Sequence, residues 1–581
     1  MLILLLAAGL RFYRLDAQSF WNDEGNAVRA AERPIPLIIA AARGDIHPPG
    51  YYLLLHFWRI PAGDSEFTVR ALSVYIGLLT VALTGRLGKR MLGTGVGAGA
   101  ALLAAVSPLA VYYSQEARMY GLLGLVAIAS TDLLWSLLRR PRLRTGLLYA
   151  LTAAAGLYIH YSFPFVLAAH NLLALGKILI GRPGRQEKGP EPGKGTPVPP
   201  PGLSPDLSVR ASEAARWLAL QALVLLLYLP WLPNALRAMG WPSAGRGYTP
   251  GEALLDILRA LTVGITLEGN LARPALVGAG ALLVLGLWPR RQILLATATL
   301  ALWLLVPVLL ILAFDLYKPA YLKFLLAVLP SFHILLAAGI HNLARPLRLR
   351  RPLSFPILLA LYVFLLYFLA LSLRNLYFNP AYARDDYRQI AADLRALARP
   401  GDAILLNAPN QWEVFTYYYR GDIYHPRPED VAPWIEPILA SYRRLFVLYW
   451  GDLEADPERR LENLLADRAY PGPGRWYGRV RLLVYGVAAT PDLSDPSVVC
   501  TEPLQIGPVH LRGYAWEKGP FHPGDVVPVT LFWETDTPLS ERYKVFVHLM
   551  DRAGNLVAQH DSEPRGDLSP TAIWPAGAVV A

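Results

Sequence analysis

Asp23 and Glu24 stand side by side in the stretch Ser19-Phe-Trp-Asn-Asp23-Glu24-Gly25. A carboxylate can take a proton from an acceptor hydroxyl or help to bind a divalent cation. Neighbours on a loop point in different directions, so the two need not share a role. An ordinary solvated acidic pair competes with this reading, and what weighs against it is company. His47 precedes Pro48 and Pro49, which forbid a continuous helix and make a stiff entry into the next one, presenting His47 and Tyr51 toward a cleft. A lone histidine is more often structural. Glu116 and Arg118 interrupt otherwise apolar sequence between Leu102 and Leu138. Ionisable groups at such depth are costly unless paired or lining a polar cavity, with a structural salt bridge as the plainer alternative. His160 and Tyr161 end another apolar run, and Lys318, Tyr321 and Lys323 open a later one. A cation there suits a phosphate leaving group; side chains snorkelling to the interface are the competing account.

These residues need elements to hold them, and composition says which. The chain has 581 residues, 54% hydrophobic and 17% charged, against about 25% charged for an ordinary soluble protein. Apolar runs recur near 1–13, 68–88, 95–113, 118–138, 146–163, 164–180, 217–233, 274–289, 292–314, 322–341 and 354–373. Runs of about 20 residues match the ~30 Å core of a bilayer, so a polytopic helical membrane protein with about eleven spans is expected. The net charge of +11 does not read as nucleic-acid binding, because Arg86, Lys89, Arg90, Arg139, Arg140, Arg142, Arg144, Arg290, Arg291, Arg345, Arg348, Arg350 and Arg351 all follow even-numbered spans. One face shares them, and the positive-inside rule makes it cytoplasmic. The candidate residues and everything beyond 375 then fall on the extracytoplasmic side of a multi-pass plasma-membrane protein. Arg11 and Arg14 break the pattern and read as snorkelling side chains or contacts to a lipid phosphate.

Residues 26–67 read as interfacial helices, 234–273 as a second outer loop amphipathic around Leu254–Leu261, and 181–216, dense in Gly, Pro and Lys, as a disordered cytoplasmic linker. The membrane region is expected to fill 1–374. Alternating helices and buried strands (Ala403–Leu406, Leu445–Leu448, Val480–Tyr485) predict an α/β domain over 375–495. The strand-and-turn pattern over 496–581 predicts a β-sandwich module, read as ending before its last strand. Cys500 is the single cysteine, which excludes an intrachain disulfide and Cys–His metal clusters. No cleavable signal peptide is expected, and the short first apolar run is expected to extend upstream of residue 1.

In combination, Trp21-Asn-Asp23-Glu24, His47-Pro48-Pro49, Glu66-Phe-Thr-Val-Arg70 and Tyr113-Ser-Gln-Glu116-Ala-Arg118-Met-Tyr120 resemble bacterial membrane glycosyltransferases of the GT-C fold, of the family 39 type that includes protein O-mannosyltransferases and aminoarabinose transferases. The resemblance covers roughly residues 1–430. It implies inverting transfer of a sugar from a polyprenyl-phosphate donor to a protein, lipid or polysaccharide acceptor outside the cytoplasm. Asp23 would be the catalytic base, supported by Glu24. His47, Tyr51, Arg70, Glu116, Arg118, Tyr120, His160, Tyr321 and Lys323 would bind substrate. Family members often carry Arg-Tyr where this chain has Lys323-Phe324. A divalent metal held by Asp23, Glu24 and His47 stays open, and no other cofactor is implied. A transporter, and a non-catalytic protein that binds lipid-linked sugar or scaffolds the envelope, are the rival readings; the first should show two related halves with paired broken helices, and no such symmetry is evident.

Overall fold

The computed structural model describes residues 1–180, 205–238, 247–288, 291–344, 351–421, 423–424, 430–451, 456–488, 498–565 and 568–581. They form two compact units. The first comprises Met1–Ala17 and Ala30–Ala383; the second comprises Gln18–Arg29 and Arg384–Ala581. The division therefore cuts the first loop out of the membrane region and groups it with the C-terminal residues.

The first unit is helical. After α1 (Leu2–Phe12), α2 (Asn22–Glu32) starts among the residues of the second unit and ends in the first. The Pro-interrupted stretch beyond it becomes α3 (Ile35–Ala42) and α4 (Gly50–Ala62), with Pro34 at the cap of one and Pro49 at the cap of the other. Then come α5 (Glu66–Leu92), α6 (Thr94–Val106), α7 (Pro108–Ser114), α8 (Tyr120–Arg139), α9 (Leu143–Ile159) and α10 (Phe163–Ile180). The remainder is α11 (Pro205–Tyr228), α12 (Leu232–Ala238), α13 (Pro250–Val263), α14 (Gly269–Leu287), α15 (Leu294–Ala313), a 3-10 helix over Pro319–Ala327, α16 (Leu329–Ala344) and α17 (Arg351–Phe378). Among the described residues, α5, α8, α14, α15 and Phe355–Phe378 of α17 are long and apolar enough to cross a bilayer. Three bent pairs pass the same test as single spans, while α1, α9 and α10 are apolar but shorter.

Two of the expected spans, 95–113 and 322–341, are bent. Helices α6 and α7 meet at 57°, and the 3-10 segment meets α16 at 72°. Pro108 has no N–H to give the Ala104 carbonyl and forces Ser107 into an extended conformation, with ψ 118°. A buried arginine repairs the break. Arg11, 1% exposed, donates to the carbonyls of Ala104 (3.1 Å) and Ala105 (2.8 Å) and to Ser114 Oγ (3.1 Å). It is thus a packing residue rather than a snorkelling one. Each orphaned carbonyl costs about 1–3 kcal/mol, so Arg11→Met, which orphans two, should lower stability by roughly 2–6 kcal/mol, read as a fall in the thermal midpoint of the detergent-purified protein. A midpoint equal to wild type would sink this account.

A second correction concerns the linker. Residues 181–204 lie outside the described set, but 205–216 are the first turns of α11. Pro205 opens the helix, where its missing N–H costs nothing, and the Ala-, Leu- and Arg-rich sequence after it propagates well. The amphipathic segment around Leu254–Leu261 is α13, started by a Thr249–Glu252 capping box.

The second unit contains α18 (Tyr387–Leu397), β1 (Asp402–Leu406), α19 (Gln411–Tyr418), β2 (Ile423–Tyr424), α20 (Val431–Ser441), β3 (Arg444–Tyr449), α21 (Arg460–Arg468), β4 (Tyr470–Tyr477) and β5 (Val480–Gly486). One sheet joins the strands in the order β2-β1-β3-β5-β4, parallel on the β2–β1–β3 side and antiparallel on the other. The three expected buried strands are β1, β3 and β5, and every residue of β3 is buried. Further on, β6 (Val499–Ile506), β7 (Val509–Trp516) and β8 (Val529–Glu534) make an antiparallel sheet, and β9 (Val545–Met550) pairs with β10 (Leu556–Ser562).

Candidate active site

In the first unit the site starts at the turn between α7 and α8. Gln115 ends α7 and donates from Nε2 to the carbonyls of Arg11 (3.0 Å) and Tyr13 (2.8 Å), anchoring the turn to the end of α1. Glu116, Arg118 and Tyr120 are each at least 96% buried. The Arg118 guanidinium lies 5.7 Å from the Tyr120 ring centre, with Nη2 3.5 Å from the Tyr120 hydroxyl.

Tyr120 is the hub. Its ring centre lies 6.3 Å from His47, 5.9 Å from His160, 5.5 Å from Tyr113 and 6.2 Å from Phe324. Lys323 Nζ sits 4.8 Å from the same ring. The rings of His47 and His160 are 5.4 Å apart, and Phe324 packs on His160 at 4.5 Å and on Tyr321 at 4.9 Å. Four separate segments meet here: the prolines before α4, the start of α8, the end of α9 and the 3-10 segment. The last is where a regular helix would have turned Tyr321, Lys323 and Phe324 differently, because a 3-10 helix repeats every three residues.

Both histidines are buried and each retains a nitrogen, Nδ1 of His47 and Nε2 of His160, with no hydrogen-bond partner among the described residues. His160 Nδ1 accepts from the Ser162 N–H (3.0 Å), which leaves the proton of a neutral ring on Nε2 as a donor. Burial, then the charge of Arg118, then His160 and Lys323, push His47 well below the usual histidine value, so it is neutral at pH 7. The unfolded chain takes up a proton below about pH 6.5 that the folded His47 refuses, so stability falls as pH drops through that window. Wild type should lose about 1.4 kcal/mol more per pH unit than His47→Asn between pH 6 and 5, measured by paired thermal unfolding; parallel curves would refute a buried neutral His47.

Other candidates sit elsewhere in this unit. Tyr51 is fully buried in α4 beside Tyr52, whose hydroxyl donates to Asp45 Oδ2 at 2.9 Å. Arg70 donates to the Leu15 carbonyl at 2.9 Å, a tie between α5 and the chain after α1. The structure thus brings His47, Arg118, Tyr120, His160, Tyr321 and Lys323 together, with Glu116 in the same turn. Sequence reasoning overlooked Phe324 and Tyr113 as ring partners, although each stands beside or within a stretch already singled out.

In the second unit, Asp23 and Glu24 occupy the first turn of α2, not a loop. A helix N-terminus favours negative charge, and Ala27, Val28 and Ala31 give the helix a buried face. The two carboxylates differ. Glu24 is fully buried and ion-paired with Arg384 at 3.3 Å, whereas Asp23 is half-buried. The turn before α2 is pinned by Ser19 Oγ donating to the Asp385 carbonyl (2.9 Å) and by the Phe20 N–H donating to the Tyr418 hydroxyl (2.7 Å). Gly25 lets α2 approach α19, since a Cβ there would strike the Val414 backbone. Asp385 accepts from the Arg479 N–H (2.6 Å) and Trp450 Nε1 (3.1 Å), yet burial raises its pKa. Arg384 was invisible to sequence reasoning because 360 residues separate it from Glu24. Among the described residues no group of three or more His, Cys, Asp or Glu side chains is placed to hold a metal ion.

The sequence of residues 46–187 matches a family model described as dolichyl-phosphate-mannose-protein mannosyltransferase. No curated protein matches the chain. Among solved structures it is similar to ArnT from Cupriavidus metallidurans in the apo state, at 13% identity and a TM-score of 0.53, covering 84% of this chain and 98% of that one. The same enzyme bound to undecaprenyl phosphate matches at 15% identity and a TM-score of 0.52, covering 84% and 99%. At such identities the likeness is one of fold. The chain has the GT-C fold of membrane glycosyltransferases, with C-terminal sheet domains, in agreement with the resemblance drawn from its motifs.

Proposed function

We propose that this chain is an inverting glycosyltransferase that moves a sugar from a polyprenyl-phosphate donor to a hydroxyl of a protein, lipid or glycan acceptor at the extracytoplasmic membrane face. The observation that carries this reading is the gathering of two cations, Arg118 and Lys323, on one buried Tyr120 ring beside two buried histidines that each keep a nitrogen with no hydrogen-bond partner among the described residues. Two cations gathered at one place suit a phosphate, and a sugar phosphate donor supplies one. Helix α8 begins at Tyr120 and ends at Arg139, so this cluster and the basic Arg139–Arg144 loop lie at opposite ends of one span; the positive-inside rule then supports an outward site.

In the proposed reaction Asp23 takes the proton of the acceptor hydroxyl as its oxygen attacks the anomeric carbon from the side opposite the phosphate. The bond from that carbon to the phosphate oxygen breaks, and the electron pair leaves with the polyprenyl phosphate. Arg118 and Lys323 stabilise the charge that develops on the leaving oxygen, and His160 Nε2–H is a donor for a sugar hydroxyl. Glu24 holds Asp23's helix in place through Arg384.

Purified protein given polyprenyl-phosphate sugars and candidate acceptors should release polyprenyl phosphate only when an acceptor is present. Binding of the donor with no release under any pairing would select the non-catalytic reading instead. Lys323→Met should lower kcat/KM for the donor by about 10–100-fold, the worth of one charge-assisted contact, while Lys323→Arg keeps most of it. Equal losses in both variants would remove Lys323 from phosphate binding.

A further inference from the structure

At the end of α8 remote from Tyr120, the ends of α8 and α10 and the starts of α9 and α11 enclose a cavity of about 600 Å³. Its walls are aliphatic, with Leu138, Leu147, Ile178, Leu220 and Leu223 prominent. Its rim is cationic: Arg142, Lys177 and Arg216 stand against one carboxylate, Glu213. Lys177 donates to the Leu138 carbonyl (2.8 Å) and lies 3.9 Å from Glu213, so this pair is largely satisfied within the wall. Arg142 and Arg216 are exposed at the mouth. One wall is held rigid by Trp217, whose Nε1 donates to Asn171 Oδ1 at 2.9 Å.

Apolar depth and a basic mouth are complementary to one class of molecule, a lipid with an anionic head. Basic pockets between helices at the positively charged end of a membrane protein are suited to anionic headgroups, and the volume falls within the range of small-molecule sites. Arg139, Arg140 and Arg144 add further positive charge where α8 ends and α9 begins. We propose that this cavity binds an anionic phospholipid, one acyl chain lying between α9 and α11 and the phosphate resting on Arg142 and Arg216. The site stands independently of the transfer reaction, and of the Tyr120 cluster at the other end of the span.

The test is native mass spectrometry of the detergent-purified full chain titrated with phosphatidylglycerol and with phosphatidylcholine of the same acyl chains. Phosphatidylglycerol should bind at least about tenfold more tightly, from roughly 1 kcal/mol per basic contact, and Arg142→Gln with Arg216→Gln should abolish the preference without shifting the lipid-free thermal midpoint. Equal binding of the two lipids, or an undiminished preference in the double variant, would overturn the proposal. Glycerol phosphate competing as well as the intact lipid would show that the apolar walls are not used, and preferential displacement by polyprenyl phosphate would show the wrong lipid had been named; either result overturns it too.

Discussion

Asp23→Asn should leave a folded protein whose kcat for sugar transfer is lower by about 10²–10⁴, the usual contribution of a general base. The substitution keeps side-chain size, and asparagine, like aspartate, is at home where a helix begins, so α2 and its packing on α19 should survive. What disappears is the capacity to accept the acceptor's proton. If Asp23 acts on the acceptor as proposed, the donor's KM should change little while kcat collapses. Single-turnover release of polyprenyl phosphate, read beside the thermal midpoint, separates a lost base from a lost fold. Wild-type-like turnover would refute Asp23 as the base, and a lowered midpoint with normal turnover per folded molecule would make it a structural residue.

Glu24→Ala should do the reverse, costing stability first. Glu24 is completely buried and its partner Arg384 nearly so, with side-chain exposures of 0% and 10%. Removing one member of a buried pair strands the other's charge, which typically costs 3–5 kcal/mol. The thermal midpoint should fall steeply, and transfer should fall with the folded fraction. Replacing both residues by apolar ones of similar size, Glu24→Leu with Arg384→Met, should recover most of the midpoint, because neither charge of the pair is then stranded by the other's loss. If that double variant is stable yet inactive, Glu24 does more than hold α2; if Glu24→Ala has an unchanged midpoint, the pair is not the anchor assigned to it.

The neighbouring carboxylates show how far sequence reasoning reaches. Their presence beside an apolar run marks the pair, and the resemblance carried by the motifs implies different roles for Asp23 and Glu24. That Glu24 is locked to Arg384 was not legible, since nothing near either residue announces a partner 360 positions away. The bend after Val106 follows from Pro108, which is plain in the sequence, but an average over an apolar window hides a single missing N–H. Helix α11 was missed over 205–216 because Gly- and Pro-rich composition was extended past the point where helix-forming residues resume.

By itself the sequence determined the apolar runs, the basic end of the helices, the strands β1, β3 and β5, and the short motifs around His47 and Glu116–Tyr120. These are local properties: hydropathy, charge and backbone restriction act within a few residues of where they are written. Only tertiary structure decided that Tyr120 is the common neighbour of His47, His160, Lys323 and Phe324, that Arg11 serves a broken helix instead of the lipid, and that Gln18–Arg29 packs with the residues from Arg384 onward. Each of these is a pairing between distant segments, set by which buried polar groups find partners when the chain folds.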